Sequence, residues 1–388
     1  MIEVDHISLG DTPGDIAVGR IQGLAGQLRF GEAAEAIFEL FRSPVWAEIE
    51  NGTFEVDGLV LPHQSWNVIM AILLQAYAFE VVADHIKKMF NATDIVIGRK
   101  DDDKPTILDI HINDGSVVFF LHSLVNRDWM WFAALRFIGI LPMIMHIYRY
   151  RRGNGSFSIS MLDASSTGEP SFSSVDVAST LLPDPIFVES GGYYTLRRTF
   201  QTPPPFNERN LRAMWRGSTT GTRVTTWRTL PRAILCEMSE RDGNLLDCGI
   251  TNVVQVDSIA EREEIINSNL MKPTISSSDF AKYAFHIDID GNSNSWPGLF
   301  SKLLSGGTVF KVASKEGYRQ WYYDRLKPWL HYIPVETDMA DLLAKIQWAR
   351  NNIDRAERIG RAGRGLAASM TLGSEMDFAV AAIEAVFV

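Results

Sequence analysis

The thirty residues from Tyr283 to Val312 constrain the fold more than any other stretch of the chain. Tyr283–Asp290 (YAFHIDID) reads as a strand, Gly291–Ser295 (GNSNS) as a polar loop, and Pro297–Leu304 (PGLFSKLL) as a helix. Ser295 is placed to cap that helix, and Pro297 sits in the first turn, where a missing N–H costs nothing. Gly306-Gly307 stops the helix, and Thr308–Val312 (TVFKV) reads as the next strand. Strand, loop, helix and strand in this order predict a parallel α/β unit. The GNSNS loop leaves the carboxyl end of a strand and opens a helix. Parallel sheets bind ligands at that place, and a helix N-terminus there favours phosphate.

Other stretches are less decisive. Glu32–Phe41 has helical spacing, and 66–90 reads as one long apolar helix. Asp94–Gly98, Thr106–Ile112, Val117–Leu121, Ser156–Leu162 and Pro183–Glu189 read as strands, with Arg99–Lys104 (RKDDDK) a solvated turn. Trp129–Tyr148 holds 20 mostly apolar residues, about the length of a membrane span. Arg136 and Pro142 interrupt it, so it is expected as a buried core helix, with a peripheral membrane contact through 129–152 as the competing reading. Gln201–Pro205 (QTPPP) is the clearest linker. It divides the chain into an N-terminal domain, 1–204, and a C-terminal domain, 205–365, with 366–388 as a closing helical segment. Leu211–Arg216 is expected as a strand, Thr225–Ser239 as a helix interrupted by Pro231, and 338–365 as one long helix loosened by Gly363 and Gly365.

A length of 388 residues suits two or three domains. The net charge of −10 argues against a nucleic-acid partner. The acid excess lies wholly in residues 1–200, with 15 Lys/Arg against 25 Asp/Glu. Two cysteines, Cys236 and Cys248, exclude a disulfide scaffold and read as reduced buried thiols. Met1–His6 lacks the pattern of a signal peptide, so the expected compartment is the cytoplasm, at the inner face of the membrane if 129–152 makes that contact.

Walker, GxSxG, HExxH and GxGxxG signatures are missing from the sequence. Asp288-Ile289-Asp290-Gly291-Asn292 fails as a calcium loop, because its glycine comes too early and its twelfth position is Leu299. The stronger signal is a run of six arginines, Arg209, Arg212, Arg216, Arg223, Arg228 and Arg232, with one acid, Glu208, among them. Guanidinium groups suit phosphate because their planar fork gives bidentate, permanently charged contacts. Arg216 runs into Gly217-Ser218-Thr219-Thr220-Gly221, a turn rich in backbone N–H groups and hydroxyls. Arg216 and the 291–295 loop together suggest a diphosphate pocket, although a solvated charged helix would explain the arginines alone.

These residues resemble glycosyltransferase family 90, which includes animal protein O-glucosyltransferases and fungal and bacterial xylosyltransferases. The similarity is carried by Trp215-Arg216-Gly217-Ser218, by Lys282-Tyr283 leading into Asp288–Asn292, by Lys302-Leu303-Leu304 and by Val309-Phe310-Lys311. It continues through Tyr322-Tyr323, Leu326-Lys327-Pro328-Trp329, His331–Val335, Asp341-Leu342, Lys345-Ile346, Trp348 and Ala356–Gly363. It covers about 205–368 well and 1–155 thinly, and the bacterial lipopolysaccharide-type members look most similar.

The resemblance implies an α/β fold of two Rossmann-like domains facing a cleft (GT-B type), with the final helix crossing back to the first domain. It implies an inverting transferase of glucose or xylose from a UDP-sugar to a hydroxyl of a glycan or lipid-linked glycan acceptor, such as lipopolysaccharide or capsule. No cofactor or dedicated metal is required, with manganese or magnesium an optional addition. By position in the family, Arg216 beside Ser218 contacts the diphosphate, and Asp163, after the strand 156–162, is the general base. Donor contacts are then expected from Arg216, Gly217, Ser218, Thr219, Arg223, Asp290, Gly291, Asn292, Ser293, Asn294, Ser295, Trp296 and Lys311.

Two departures stand out. Ser295-Trp296-Pro297-Gly298 occupies the place where many relatives carry an arginine, and Leu162-Asp163-Ala164 lacks the usual Arg-Asp-Tyr/Phe context. Asp128, Asp176 and Glu189 are rival bases. Trp215, Trp296, Tyr322 and Trp329 are candidates for stacking on sugar or uracil, and Phe187 with Gly191–Tyr194 for the acceptor side. The competing functions are a non-catalytic nucleotide-sugar or glycan-binding protein of this fold, and a membrane-associated scaffold.

Overall fold

The computed structural model describes residues 12–27, 29–92, 94–100, 107–113, 115–122, 127–150, 154–165 and 168–388, without the side chains of 127–131. Asp101–Asp103, Arg151 and Arg152 lie outside them, as does the Asp128 side chain. The described chain divides into two compact units. One is Tyr194–Met370; the other is formed by the residues up to Tyr193 together with Thr371–Val388.

Among its described residues the discontinuous unit contains six strands. β1 (Thr53–Val56) and β2 (Leu59–Pro62) form a hairpin. Asp57 and Gly58 turn it at φ 53° and 77°, the left-handed geometry that tight hairpins need. β3 (Asp94–Lys100), β4 (Ile107–Asn113), β5 (Ser116–His122) and β6 (Gly155–Ser160) form a sheet in the order β3-β5-β4-β6. Only β3 and β5 are parallel; β4 runs antiparallel to β5 and to β6. A Rossmann-like sheet is therefore not what these described residues build. The connection at 114 and 115 is too short for the crossover that a parallel neighbour demands.

The helix Arg127–Tyr150 carries Pro142 inside it. Phe137, Ile138, Ile140, Leu141, Met143 and Ile144 are all fully buried in this unit, so most of the apolar segment is core. It packs on Gln64–Gln75 and on Leu372–Glu384.

Several expected elements differ. The 66–90 helix is two helices, Gln64–Gln75 and Phe79–Phe90, because Tyr77 at φ 62° reverses the chain between them. Pro183–Glu189 is not a strand: Asp184 accepts the Phe187 N–H at 2.9 Å and starts a helical turn, Pro185–Glu189. The last long helix is broken at Asn352 into Leu342–Asn351 and Ile353–Ser369. Gly363 does not loosen it. A Cβ there would lie 2.6 Å from the His331 carbonyl oxygen, and one at Gly360 would lie 2.7 Å from that of Gly306. Both glycines let the helix backbone lie directly on its neighbours.

The Tyr194–Met370 unit holds β7 (Asn210–Ser218), β8 (Leu246–Asn252), β9 (Tyr283–Asp288), β10 (Thr308–Val312) and β11 (Ile333–Val335). All neighbours are parallel, in the order β8-β7-β9-β10-β11. One face carries Trp215, Cys248, Phe285, Ile287 and Phe310 into a core closed by Leu342, Ile346 and Ile359. Both cysteines are free and buried. The helix Trp296–Leu304 packs on β9 and β10, as the sequence of 283–312 requires. The boundary falls before QTPPP because Arg209 donates to the Pro204 carbonyl at 2.9 Å and Arg364 to that of Phe200 at 2.6 Å. Arg197 likewise donates to the Met370 carbonyl at 2.6 Å.

Candidate functional site

Strand order 2-1-3-4-5, counted within the Tyr194–Met370 unit, reverses between β7 and β9. At such a switch point the connections leave in opposite directions and a crevice opens beyond the carboxyl ends of the strands. Here β7 pairs with β9 only as far as Met214 and His286, while its pairing with β8 continues to Ser218 and Asn252. The segments 218–221 and 289–295 therefore leave the sheet on either side of a gap. Gly221, Asp290, Asn292, Ser314, Glu316 and Tyr318 are among the residues lining a cleft there.

The floor of this region is charged. Asp288 is completely buried, with Lys302 Nζ 2.8 Å from Oδ1 and Lys311 Nζ 3.2 Å from Oδ2. The Ser295 hydroxyl also donates to Oδ1. Burial would raise the Asp288 carboxyl, but Lys302 and then Lys311 hold it well below the usual carboxylate range. Asp290 next door is pushed up by burial, against the pull of Lys311. Lys302, Lys311, Lys315 and Arg232 outnumber Asp288, Asp290 and Glu316 by four to three, which leaves the region net positive and suited to an anion. With both oxygens of Asp288 held by ammonium groups, Asp288 and Asp290 do not form a metal pair. Among the described residues, no group of three or more His, Cys, Asp or Glu could hold a metal ion.

The sequence-derived donor residues divide into two sets. Gly291, Asn292, Ser293, Asn294, Ser295, Trp296, Asp290 and Lys311 all belong to the ends of β9 and β10. Gly291 N–H donates to the Ser293 carbonyl at 2.9 Å, and Trp296 Nε1 donates to Ser293 Oγ at 3.2 Å. Ser295 stands at the N-cap position, yet its hydroxyl bonds Asp288 rather than the helix N-terminus.

The second set is engaged elsewhere. Arg216 Nη1 donates to the backbone carbonyls of Trp215 at 2.9 Å and Asp247 at 2.6 Å, and Nη2 to Asp247 Oδ1 at 2.8 Å. It is held against β8 and does not line the cleft. Arg212, Lys272 and Tyr283 surround the same carboxylate. Burial works against Asp247 as an anion, but Tyr283 and Arg216 bring it down to about 2. Thr219 Oγ1 donates to the Val254 carbonyl at 2.6 Å and accepts the Val254 N–H at 2.8 Å. Arg223 pairs with Asp257 and, at 2.7 Å, with Glu261. Gly217 is required by the Trp215 ring, 2.4 Å from where its Cβ would be. Ser218 stays near the gap, with its Oγ 3.3 Å from Thr220 Oγ1.

Asp163 belongs to the other unit. Its carboxylate pairs with Arg136 from the long core helix, which also donates to the Met161 carbonyl. Asp176 accepts the Ala178 N–H at 2.9 Å within its own turn. Glu189 packs over Gly139, where a Cβ would lie 3.1 Å from its Oε2. Burial, and then Asp184, push its carboxyl up to about 8. Trp215 and Tyr322 are core residues, whereas Trp329 is 48% exposed. Phe187 is fully buried, and Gly191, Gly192 and Tyr193 form a left-handed turn at φ 64°, 69° and 62°.

Residues 195–377 match the family model for glycosyl transferase family 90. That segment, just under half of the chain, resembles glycosyltransferase family 90. It covers almost all of the Tyr194–Met370 unit and so contains the switch point. Protein O-glucosyltransferase 2 of Danio rerio is 30% identical over 176 residues, 45% of this chain and 32% of that protein. Protein O-glucosyltransferase 3 of Homo sapiens is 31% identical over 138 residues, 35% of this chain and 25% of that protein. The chain thus spans a third or less of the length of these curated relatives. A crystal structure of Anabaena Alr3699/HepE in complex with UDP-glucose overlaps 75% of this chain and 99% of that one, with 9% identity and a TM-score of 0.37. So loose a likeness assigns nothing beyond itself.

Asp247 shapes this region without having been singled out from sequence, and Arg232, Thr220 and Lys302 stood out there only as members of longer runs. Arg232 had a signal, since Pro231-Arg232 opens the helix Pro231–Arg241 directly under the 218–221 turn.

Proposed function

We propose that the chain transfers a sugar from a UDP-sugar to a hydroxyl group of a glycan acceptor. The reading is carried by one coincidence: the segment that matches family 90 is the unit whose parted parallel strands present a net-positive cleft at their carboxyl ends. A diphosphate leaving group develops negative charge during transfer, and fixed donors and cations placed there beforehand stabilise it. Ser218, the 291–295 backbone and Lys311 supply that environment. The relatives named as protein O-glucosyltransferases favour glucose over xylose as the sugar.

In the same proposal transfer inverts the anomeric centre by direct displacement. Asp163 takes the proton of the acceptor hydroxyl as the hydroxyl attacks opposite the leaving UDP. The Arg136 pair fixes the direction of that carboxylate. The leaving group depends on cationic side chains, so transfer proceeds without a divalent ion.

The first test is thermal unfolding with and without UDP in EDTA. A ligand that binds only the folded state adds about 2.7 kcal/mol of stability at a hundred times its dissociation constant. A rise supports the cleft and justifies transfer assays with UDP-glucose, UDP-xylose and UDP-galactose. A rise only after manganese is added would remove the metal-free part of the proposal. No rise in either condition would overturn the donor site. Asp163→Asn is expected to bind UDP like wild type and lose about a hundredfold or more in transfer, and unchanged transfer would assign the base to another carboxylate. UDP binding by the wild type without transfer to any acceptor tried would favour the non-catalytic binding protein.

A further inference from the structure

Arg232 spans the gap at which the sheet stops holding itself together. Its side chain is buried under the cleft, and its hydrogen bonds cross from the helix Pro231–Arg241 to one or other of the two parted segments. On the β7 side, Nη1 donates to Thr220 Oγ1 at 2.6 Å and to the Ser218 carbonyl at 3.2 Å. On the β9 side, Nε donates to the Asp290 carbonyl at 2.9 Å and Nη2 to the Ile289 carbonyl at 3.3 Å. Past Met214 and His286 no backbone pairing joins these strands, so the guanidinium takes over the work of the missing ladder.

Two further observations fit the same purpose. Gly221 N–H donates to Asn292 Oδ1 at 3.1 Å, a second tie across the gap. A Cβ on Gly291 would lie 2.7 Å from Thr220 Oγ1 and 2.9 Å from Arg232 Nη2, so the backbone is drawn in to the limit that glycine allows. Burial lowers the Arg232 guanidinium only to about 10, so it stays charged. That charge sits beneath three carbonyl oxygens, whose dipoles would otherwise repel an anion placed above them.

We infer that Arg232 is a positioning residue of the donor site: it fixes the spacing of the 218–221 and 289–292 segments and offsets their carbonyl dipoles, without itself touching the donor. The inference rests on the proposed UDP-sugar site. A single ammonium cannot span acceptors on both segments, so Arg232→Lys keeps the charge and loses the clamp. Thr220→Val removes one clamp bond and the contact with the Ser218 hydroxyl, and leaves the Arg232 charge in place.

The experiment compares UDP affinity by calorimetry, and donor and acceptor KM with kcat, for the wild type, R232K and T220V, alongside thermal unfolding. R232K is expected to weaken UDP binding and raise donor KM by at least about tenfold with acceptor KM unchanged. T220V is expected to weaken UDP binding about fivefold, one hydrogen bond's worth, with an unchanged unfolding midpoint. A merely structural arginine would not separate donor KM from acceptor KM. If the wild type binds UDP and T220V and folded R232K bind it equally well, the inference fails while the proposed function stands. If R232K does not fold, T220V decides alone, and unchanged UDP affinity overturns the inference. If the wild type does not bind UDP, both fail together.

Discussion

Lys302 Nζ stands 2.8 Å from Asp288 Oδ1, at a point where the carboxylate has no exposure and the lysine only 6%. A buried pair of this kind contributes little compared with an apolar replacement of both partners, but breaking it is costly. Lys302→Met leaves Asp288 with Lys311 and the Ser295 hydroxyl and is expected to cost about 3–5 kcal/mol in chemical denaturation. A loss under 1 kcal/mol would show that Lys311 and Ser295 suffice. The Asp288 carboxyl is held below its unfolded value, so its contribution is present above about pH 4 and is lost as pH falls through the folded-state pKa. Wild type should lose stability on acidification more steeply than Asp288→Asn.

Gly291 is closed to any side chain by Thr220 Oγ1 and Arg232 Nη2. Gly291→Ala must push the two segments apart, at a cost of about 1–3 kcal/mol for overpacking. Its effect on UDP affinity should exceed that of an alanine at exposed Gly365, where a Cβ meets nothing within 4 Å. Equal affinities for the two variants would mean that the gap tolerates widening.

Arg216 and Asp247 form a buried pair at 2.8 Å, with both side chains under 10% exposed. Arg216→Ala is therefore expected to reduce stability by about 3 kcal/mol or more, besides any loss of transfer. Asp247→Asn separates the two effects, since it removes the charge pair and leaves the guanidinium on its two backbone carbonyls. A stable Arg216→Ala protein that no longer binds UDP would assign Arg216 to the donor directly.

Glu189 titrates on the physiological side of neutrality. Its carboxyl is raised to about 8, so the unfolded chain gives up this proton first. The sign follows: folding is favoured below about pH 4, and stability declines as pH rises towards 8. Glu189→Gln removes the penalty, and its unfolding midpoint should exceed that of wild type by an amount that grows from pH 5 to pH 8 and then levels. A constant difference across that range would show that Glu189 stays ionised.

The sequence around Tyr283–Val312 could be read because its punctuation is strong. Pro297 can start a helix but not continue one, and Gly306-Gly307 ends it, so alternation on either side had to be strand. The break at Tyr77 had no such mark. Ala76-Tyr77-Ala78 contains neither glycine nor proline, and the reversal is imposed by packing. Pro183–Glu189 carried a readable sign that β-prone residues masked, since an aspartate before a proline is a helix start. For the site, the arginine run was visible but the direction of each guanidinium was not. Arg216 and Arg223 found carboxylates on β8 and near the helix Ile259–Ile266, while Arg232 found carbonyl groups. Which acceptor each one meets is decided by residues tens of positions away, and linear spacing does not encode it.

The division of the chain has a consequence for how the protein is made. Tyr194–Met370 is one uninterrupted stretch and can close as soon as it has emerged from the ribosome. The unit before it cannot, because Leu372, Met376, Ala379 and Ile383, all almost fully buried, reach it only with the last helix. The residues before Tyr194 thus wait for Thr371–Val388, with part of the Arg127–Tyr150 helix uncovered in the interval. The discontinuous unit, not Tyr194–Met370, is where a nascent molecule would need a chaperone, and a stop codon just before Leu372 would harm that unit first.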